Sequence, residues 1–346
     1  MAMHSLARSG PRAGLSLIAC AALLALAACG GSDDNDDDGG NTGPPPSSKY
    51  SADIRRTEMG VPHVKAADWG SLGYGIGYAQ AQDVLCTIAD SMLTYRGERS
   101  RYFGADAKAV YNSTIALPRN LDSDFYFKHV LTDDAVARLM AAQPEKLLRM
   151  VEGFAAGYNR YVGEAKSGAS KANAACSGQP WVKTVTPQDL WRRVASANLA
   201  GGYSNFVPAI ANAVPPAPAA AGAKAGAQQP APIAPGSMQT PPLQVGGPDG
   251  VGSNMYGFGT DGTGSDSPLL FGNPHWYWKG PDRFYQAQLT IDGEVNVSGV
   301  SFLGIPLTQI GFNNDIAWSH TVSTARRFGF FVMTLDPKDP THYLLD

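Results

Sequence analysis

The sequence predicts an α+β fold, and three observations carry that reading. Residues 50–212 are dominated by helical periodicity, residues 213–252 are almost uncharged Ala/Pro/Gly chain, and from Ser253 onward the chain breaks into short strand-like runs separated by turns. With 346 residues, 44% of them apolar, the chain is long enough for two domains or one large body with a real core.

Taken in order, Tyr50 to Val64 mixes apolar and polar residues and contains the turn Gly60-Val61-Pro62, which suits a strand and its exit. From Ala67 to Leu93, Leu72, Ile76, Tyr78, Ala79, Val84, Leu85, Ile88 and Met92 recur at helical spacing. Gly73, Gly75 and Gly77 inside that pattern imply close packing. Further helices are expected over Asp134–Met140, Pro144–Val162 and Pro187–Ala197. Residues 213–252 carry Lys224 and Asp249 as their only charges and show no apolar period, so they cannot bury enough surface to fold. By composition they suit an interdomain linker. After them, strands are expected at Met255–Gly259, Pro268–Phe271, Phe284–Ile291, Val295–Phe302, Leu307–Gly311, Ile316–Ser319 and Phe328–Leu335, forming a large multilayered sheet.

The N-terminus reads as an export signal: Arg8 and Arg12, then the apolar stretch Ala13 to Ala28, too short for a spanning helix. It ends in Leu26-Ala27-Ala28-Cys29, which resembles a bacterial lipobox and implies a protein acylated on Cys29 and tethered in the cell envelope, facing the periplasm. The alternative is an ordinary secretory signal. Residues 30–49, with five aspartates between Asp33 and Asp38, suit a solvated leash and lack the spaced ligands of a calcium loop. Setting aside Arg8, Arg12 and those five aspartates leaves 25 basic against 25 acidic residues, so the folded body has no charge bias and nucleic acid is excluded as a partner. Cys86 and Cys176 stand either as a disulfide, which an exported location permits, or as two separate thiols; a metal site is not expected there.

Gly252-Ser253-Asn254 lies where the linker meets the strands, and a cut before Ser253 would place a hydroxyl beside its own α-amine. Such an amine has a reference pKa of about 7.7 to 8.0 and can act as base near neutrality. Nucleophile and base on one residue point to a self-processing amide hydrolase. His275, in Gly272-Asn273-Pro274-His275-Trp276, and Val322, in Ser319-His320-Thr321-Val322-Ser323-Thr324, complete a candidate set. Taken singly these are a loop serine, a turn histidine and a strand valine.

Together they resemble the penicillin acylase family of N-terminal nucleophile hydrolases, and within it the acyl-homoserine lactone acylases and aculeacin-type lipopeptide acylases. The first half carries the pattern in residues 55–64 (Arg55 to Val64) and in Gly73 to Asp83; the second carries it in Ser253-Asn254, His275, Arg283-Phe284-Tyr285 and Ala317 to Phe328. The resemblance covers nearly the whole chain and implies a four-layer αββα fold, incomplete here, built from an α subunit (50–212) and the start of a β subunit (253–346) after excision of 213–252. It implies Ser253 as nucleophile and α-amine base, His275 as the group that orients it and aids proton transfer, and the Val322 N–H as oxyanion donor. Trp276 and Phe302 match positions lining an acyl pocket, for which core packing is the bland alternative. The expected substrate is a fatty acyl amide, an acyl-homoserine lactone or a lipopeptide, with no cofactor. Ala325, Arg326, Arg327 and Phe328 stand where penicillin G acylase relatives place calcium-binding acids, so no calcium is expected at that site. The family's further oxyanion Asn would fall beyond Asp346, so a truncated product is expected, with a noncatalytic envelope lipoprotein as the alternative function.

Overall fold

A computed structural model describes residues 49–111, 113–115, 117–170, 175–200, 202–214, 251–323, 329 and 331–345. The export signal, Cys29, most of the leash, linker residues 215–250 and residues 324–328 lie outside the described residues.

The chain enters through strands β1 (Ala52–Arg56) and β2 (Pro62–Ala66), paired antiparallel from Ala52↔Ala66 to Arg56↔Pro62. The expected single strand is therefore a hairpin. Gly60 takes φ 82°, and the Thr57 hydroxyl accepts from the Val61 N–H at 3.1 Å, which turns the chain back on itself. Helix α1 (Trp69–Arg96) follows, capped by the Asp68 carboxylate accepting from the Ser71 N–H at 2.9 Å and ended by Gly97 at φ 65°. It is buried on nearly every side.

Around α1 stand α2 (Arg99–Phe103), α3 (Asn120–Val130), α4 (Asp133–Ala141), α5 (Glu145–Ser167), α6 (Pro187–Leu199) and the short α7 (Val207–Ala211), preceded by a 3₁₀ turn at Tyr203–Phe206. The sequence pattern anticipates α4, α5 and α6. It misses α3, whose buried side carries Asn120, Asp122, Ser123 and Asp124 beside Tyr126 and Phe127, so no apolar stripe appears. Asn120 accepts from Arg99 Nε and Asp122 from Arg119, while Asp124 accepts from the Arg99 and Ser100 N–H groups, each at 2.8 Å, and so caps α2; the buried Ser123 hydroxyl has no partner among the described residues.

Helices α1 and α5 touch backbone to backbone. A Cβ on Gly73 would lie 1.9 Å from the Met150 carbonyl oxygen, one on Gly77 2.3 Å from that of Phe154, one on Gly153 1.8 Å from that of Gly70, and one on Gly157 2.0 Å from that of Tyr74. Gly75 faces the other way, where a Cβ would meet Val64 Cγ1 of β2 at 2.4 Å. The glycines thus lay one face of α1 on α5 and the opposite face on the sheet.

The second block gives β3 (Gly252–Phe258), a single turn α8 (Thr260–Thr263), β4 (Leu269–His275), β5 (Phe284–Ile291), β6 (Val295–Phe302), β7 (Ile310–Phe312) and β8 (Ala317–Trp318). Strands β5 and β6 have the bounds expected from sequence. In place of one multilayered sheet, the described residues form two: a six-stranded sheet in the order β1-β2-β5-β6-β7-β8 and a separate β3–β4 hairpin. Phe328–Leu335 is not the expected strand; of its described residues, Leu335 makes one isolated bridge to Tyr343, and Phe331 and Val332 are exposed with no neighbouring strand to pair them.

Cys86 of α1 and Cys176 form a disulfide across 90 residues, which decides the alternative left open by their spacing. Loop-closure entropy of that size contributes about 4 to 5 kcal/mol in the chain-entropy account. Asp189 opens α6 through a reciprocal capping box with Thr186 and receives Arg96 from α1 at 2.6 and 2.9 Å. Burial pushes its pKa up, but Arg96 and Thr186 outweigh burial and hold it below the ordinary carboxylate value.

Gly153→Ala should destabilise the protein by at least about 1 to 3 kcal/mol, because α5 must leave α1. Gly163→Ala, on an exposed turn of the same helix with open space at its Cβ, should stabilise by about 0.5 to 1 kcal/mol. Urea titration of both variants checks the seam, and equal shifts in the two would contradict it. For Asp189, a folded pKa below the unfolded one means stability that is present above pH ~4 and lost as pH falls through the folded value. Asp189→Asn should therefore weaken the protein at pH 7 and flatten the acid side of its stability profile, read by melting temperature from pH 7 to pH 3.

Candidate active site

Ser253 is the second residue of β3, and the hairpin register sets Gly252 opposite His275 and Ser253 opposite Pro274. The imidazole stands beside Gly252: a Cβ there would lie 3.2 Å from His275 Nδ1. The Ser253 hydroxyl donates to the Gly252 carbonyl oxygen at 2.5 Å. On its other edge, His275 Nε2 is 3.2 Å from Asn273 Nδ2, so one strand supplies both the imidazole and its neighbour. Ser253 is half-buried and His275 exposed.

Val322 follows β8 and is half-buried. This segment meets the hairpin three residues earlier, at Ser319, whose buried hydroxyl would lie 3.0 Å from a Cβ on Gly272 of β4. That tie is at the middle of β4, not at Ser253. Between the hairpin and β7–β8 opens a cavity of about 800 Å³, walled by Phe258, Leu269, Leu270, Ile310, Phe312 and Trp318 among others. It borders neither Ser253 nor His275.

Trp276 and Phe302 come together. Their rings stack at 5.6 Å with planes 11° apart, and Phe284 stacks on Phe302 at 5.4 Å. Phe284 and Phe302 are the register pair at the open end of the β5–β6 ladder, which is why their rings face one another. The Trp276 indole N–H donates to the Asp282 carbonyl at 2.7 Å, so the aromatic wall continues directly from His275.

Behind the wall stands an ion pair that motif and spacing do not reveal. Arg193 of α6 donates to Asp282 Oδ1 at 2.8 Å, with side chains 1% and 2% exposed. Asp282 Oδ2 also accepts from the Thr114 N–H at 2.8 Å and hydroxyl at 2.9 Å. Burial disfavours charge on Arg193, but Tyr95 and Asp282 keep its pKa above the ordinary arginine value. Burial also pushes the Tyr277 phenol up to about 12. A hint was available in sequence, since Asp282 directly precedes the Arg283-Phe284-Tyr285 motif, but its partner lies 89 residues earlier.

No group of three or more His, Cys, Asp or Glu side chains among the described residues is arranged to hold a metal ion. Nor is any helix among them long and apolar enough to cross a membrane.

The penicillin amidase family model matches residues 51–346. The chain belongs to the penicillin amidase family. Within it, the chain is 40% identical over 301 residues to the acyl-homoserine lactone acylase PvdQ of Pseudomonas savastanoi pv. phaseolicola, covering 85% of this chain and 36% of that protein. It is 38% identical over 306 residues to the aculeacin-A acylase of Actinoplanes utahensis, covering 86% of this chain and again 36% of the relative. The chain therefore spans about a third of the length of these family members. The thermostable penicillin G acylase from Alcaligenes faecalis aligns in structure with a TM-score of 0.36 and 24% identity, over 43% of this chain and 73% of that one.

Proposed function

We propose that this chain carries the nucleophile of a self-processing amide hydrolase that releases a fatty acyl chain from an acyl-homoserine lactone or a lipopeptide. The observation that carries this reading is the Ser253 hydroxyl set against the carbonyl of the peptide bond before it, with His275 directly across the hairpin from Gly252. Relatives named as acyl-homoserine lactone acylase and aculeacin-A acylase support the substrate class.

In this proposal maturation is an N-to-O acyl shift. Ser253 Oγ attacks the Gly252 carbonyl carbon, its proton is passed to the departing Ser253 nitrogen with help from His275, and water hydrolyses the resulting ester. The products are a Gly252 carboxylate and a free Ser253 α-amine. In turnover that amine, through a water, accepts the hydroxyl proton as Oγ attacks the substrate amide. The leaving amine takes a proton, the acyl enzyme is hydrolysed, and Ser253 is restored. The Val322 N–H serves as an oxyanion donor, a role in which loss of one donor costs on the order of a hundredfold in rate. Trp276 and Phe302 form the slot for the acyl chain.

The remaining assignments belong to the same proposal. The six-stranded sheet and the β3–β4 hairpin are parts of a four-layer αββα body. Residues 50–212 form the α subunit, 213–252 are excised, and 253–346 begin the β subunit of the same precursor. Export and acylation at Cys29 would hold the enzyme in the bacterial envelope, facing the periplasm.

Ser253→Ala should abolish both linker cleavage and hydrolysis, whereas Val322→Ala, which keeps the backbone N–H, should change kcat/KM by no more than about threefold. Intact mass, N-terminal sequencing and an assay on N-acyl-homoserine lactones check this in the protein expressed with its export signal. A β chain beginning Ser-Asn-Met-Tyr is expected. An uncut wild type that binds acylated lactones without hydrolysing them would favour the noncatalytic lipoprotein instead.

A further inference from the structure

Arg193 is placed unusually for a cation: wholly buried, with three of its hydrogen bonds going to residues 281–282 and 303 of the second block. Nη2 reaches Asp282 Oδ1 at 2.8 Å and the Pro281 carbonyl at 3.0 Å, while Nε reaches the Leu303 carbonyl at 2.9 Å. Residues 281–282 and 303 flank the open end of the β5–β6 hairpin, whose last ladder pair is Phe284↔Phe302. The guanidinium therefore closes that end. Its Cζ also lies 5.4 Å from the Tyr95 ring centre and 5.7 Å from that of Phe302. Through the Asp282 carbonyl, the same clamp receives the Trp276 indole N–H. Phe302 thus meets Arg193 directly and Trp276 meets it through Asp282, so both rings depend on one side chain from the block before the linker.

For stability alone a buried ion pair is a poor device, since apolar residues of similar volume commonly do as well or better. What the pair supplies is direction. A guanidinium fork satisfies three acceptors in fixed geometry and lies flat on a ring, which a lysine ammonium cannot do. We infer that Arg193, braced by Asp282 and Thr114, is a positioning residue that sets the depth of the acyl slot by fixing the Phe302 and Trp276 rings. The inference rests on the acylase reading above, because it takes that wall to be the slot. Arg193 touches no reacting atom, so its effect falls on which acyl chain fits rather than on bond cleavage.

The test is the chain-length profile of the mature enzyme on N-acyl-homoserine lactones from butanoyl to dodecanoyl. Arg193→Lys keeps the charge and loses the fork. It should still be processed at Ser253, lower kcat on the butanoyl member by no more than about threefold, and change the dodecanoyl-to-butanoyl ratio of kcat/KM by at least about tenfold, mainly through KM. Thr114→Val removes one hydroxyl donor from Asp282 and should move the ratio in the same direction by a smaller factor. It carries the test alone if Arg193→Lys does not accumulate as folded protein. A ratio equal to wild type in the folded variants, with all chain lengths falling together, overturns the inference and leaves the acylase reading intact. A wild type that is processed but hydrolyses no member of the series overturns the acylase reading and the slot with it.

Discussion

The parallel pairing of β2 with β5 is the constraint on which the rest depends. β2 precedes the linker and β5 follows it, and their ladder runs from His63↔Gln288 to Ala66↔Ile291. Backbone hydrogen bonds thus make one sheet from two stretches of chain separated by more than two hundred residues. Side chains repeat the connection around it: Trp69 to Glu294 at 2.8 Å, Gln80 to the Gly304 N–H at 2.9 Å, Tyr285 to Asp83 at 2.6 Å, and Thr114 and Arg193 to Asp282. A cut before Ser253 would break one covalent bond and none of these contacts. The fold is therefore compatible with a cut at that bond.

The glycine seam between α1 and α5 fixes where that sheet can lie. Because Gly73, Gly77, Gly153 and Gly157 bring two backbones into contact, α1 has no freedom to slide, and Gly75 passes its position to Val64 on β2. From β2 the register passes to β5, and from β5 to the Phe284↔Phe302 pair at the ladder's end. Arg193, on a helix that packs on α1, meets that end from the other direction. Helix contacts far from Ser253 in this way set the position of the aromatic wall. The Cys86–Cys176 bond adds a second restraint on α1.

What the sequence made legible follows how locally each feature is encoded. Strands β5 and β6 were readable to the residue because alternating β-formers end at Asp292-Gly293, and the glycines of α1 announced close packing without naming α5 as the partner. The resemblance singles out Ser253, His275, Trp276 and Phe302, and the fold stacks Trp276 on Phe302 and sets His275 across from Gly252. Helix α3 was hidden because capping duties occupy its buried side with aspartates. Arg193–Asp282 was hidden because a long-range ion pair has no periodicity at all. The strand expected over Phe328–Leu335 fails for the converse reason: its residues favour strand, but strand is a property of pairing, and among its described residues the pairing is limited to the single bridge from Leu335 to Tyr343.

The covered and open parts of the site divide its work. Trp276, Phe284 and Phe302, each half-buried, rest on a fully buried ion pair supplied by the helical block. The hairpin that bears Ser253 and His275 is different: Met255, Tyr256, Phe258, Leu269 and Phe271 are all exposed, and an apolar hairpin of this kind is a surface for packing rather than for water. Amide cleavage needs preorganised dipoles in a site from which water has been excluded. The Ser253 hydroxyl meets the Gly252 carbonyl, and His275 stands across the hairpin from Gly252. The β8 segment meets this hairpin through Ser319 at Gly272, in the middle of β4, rather than at Ser253.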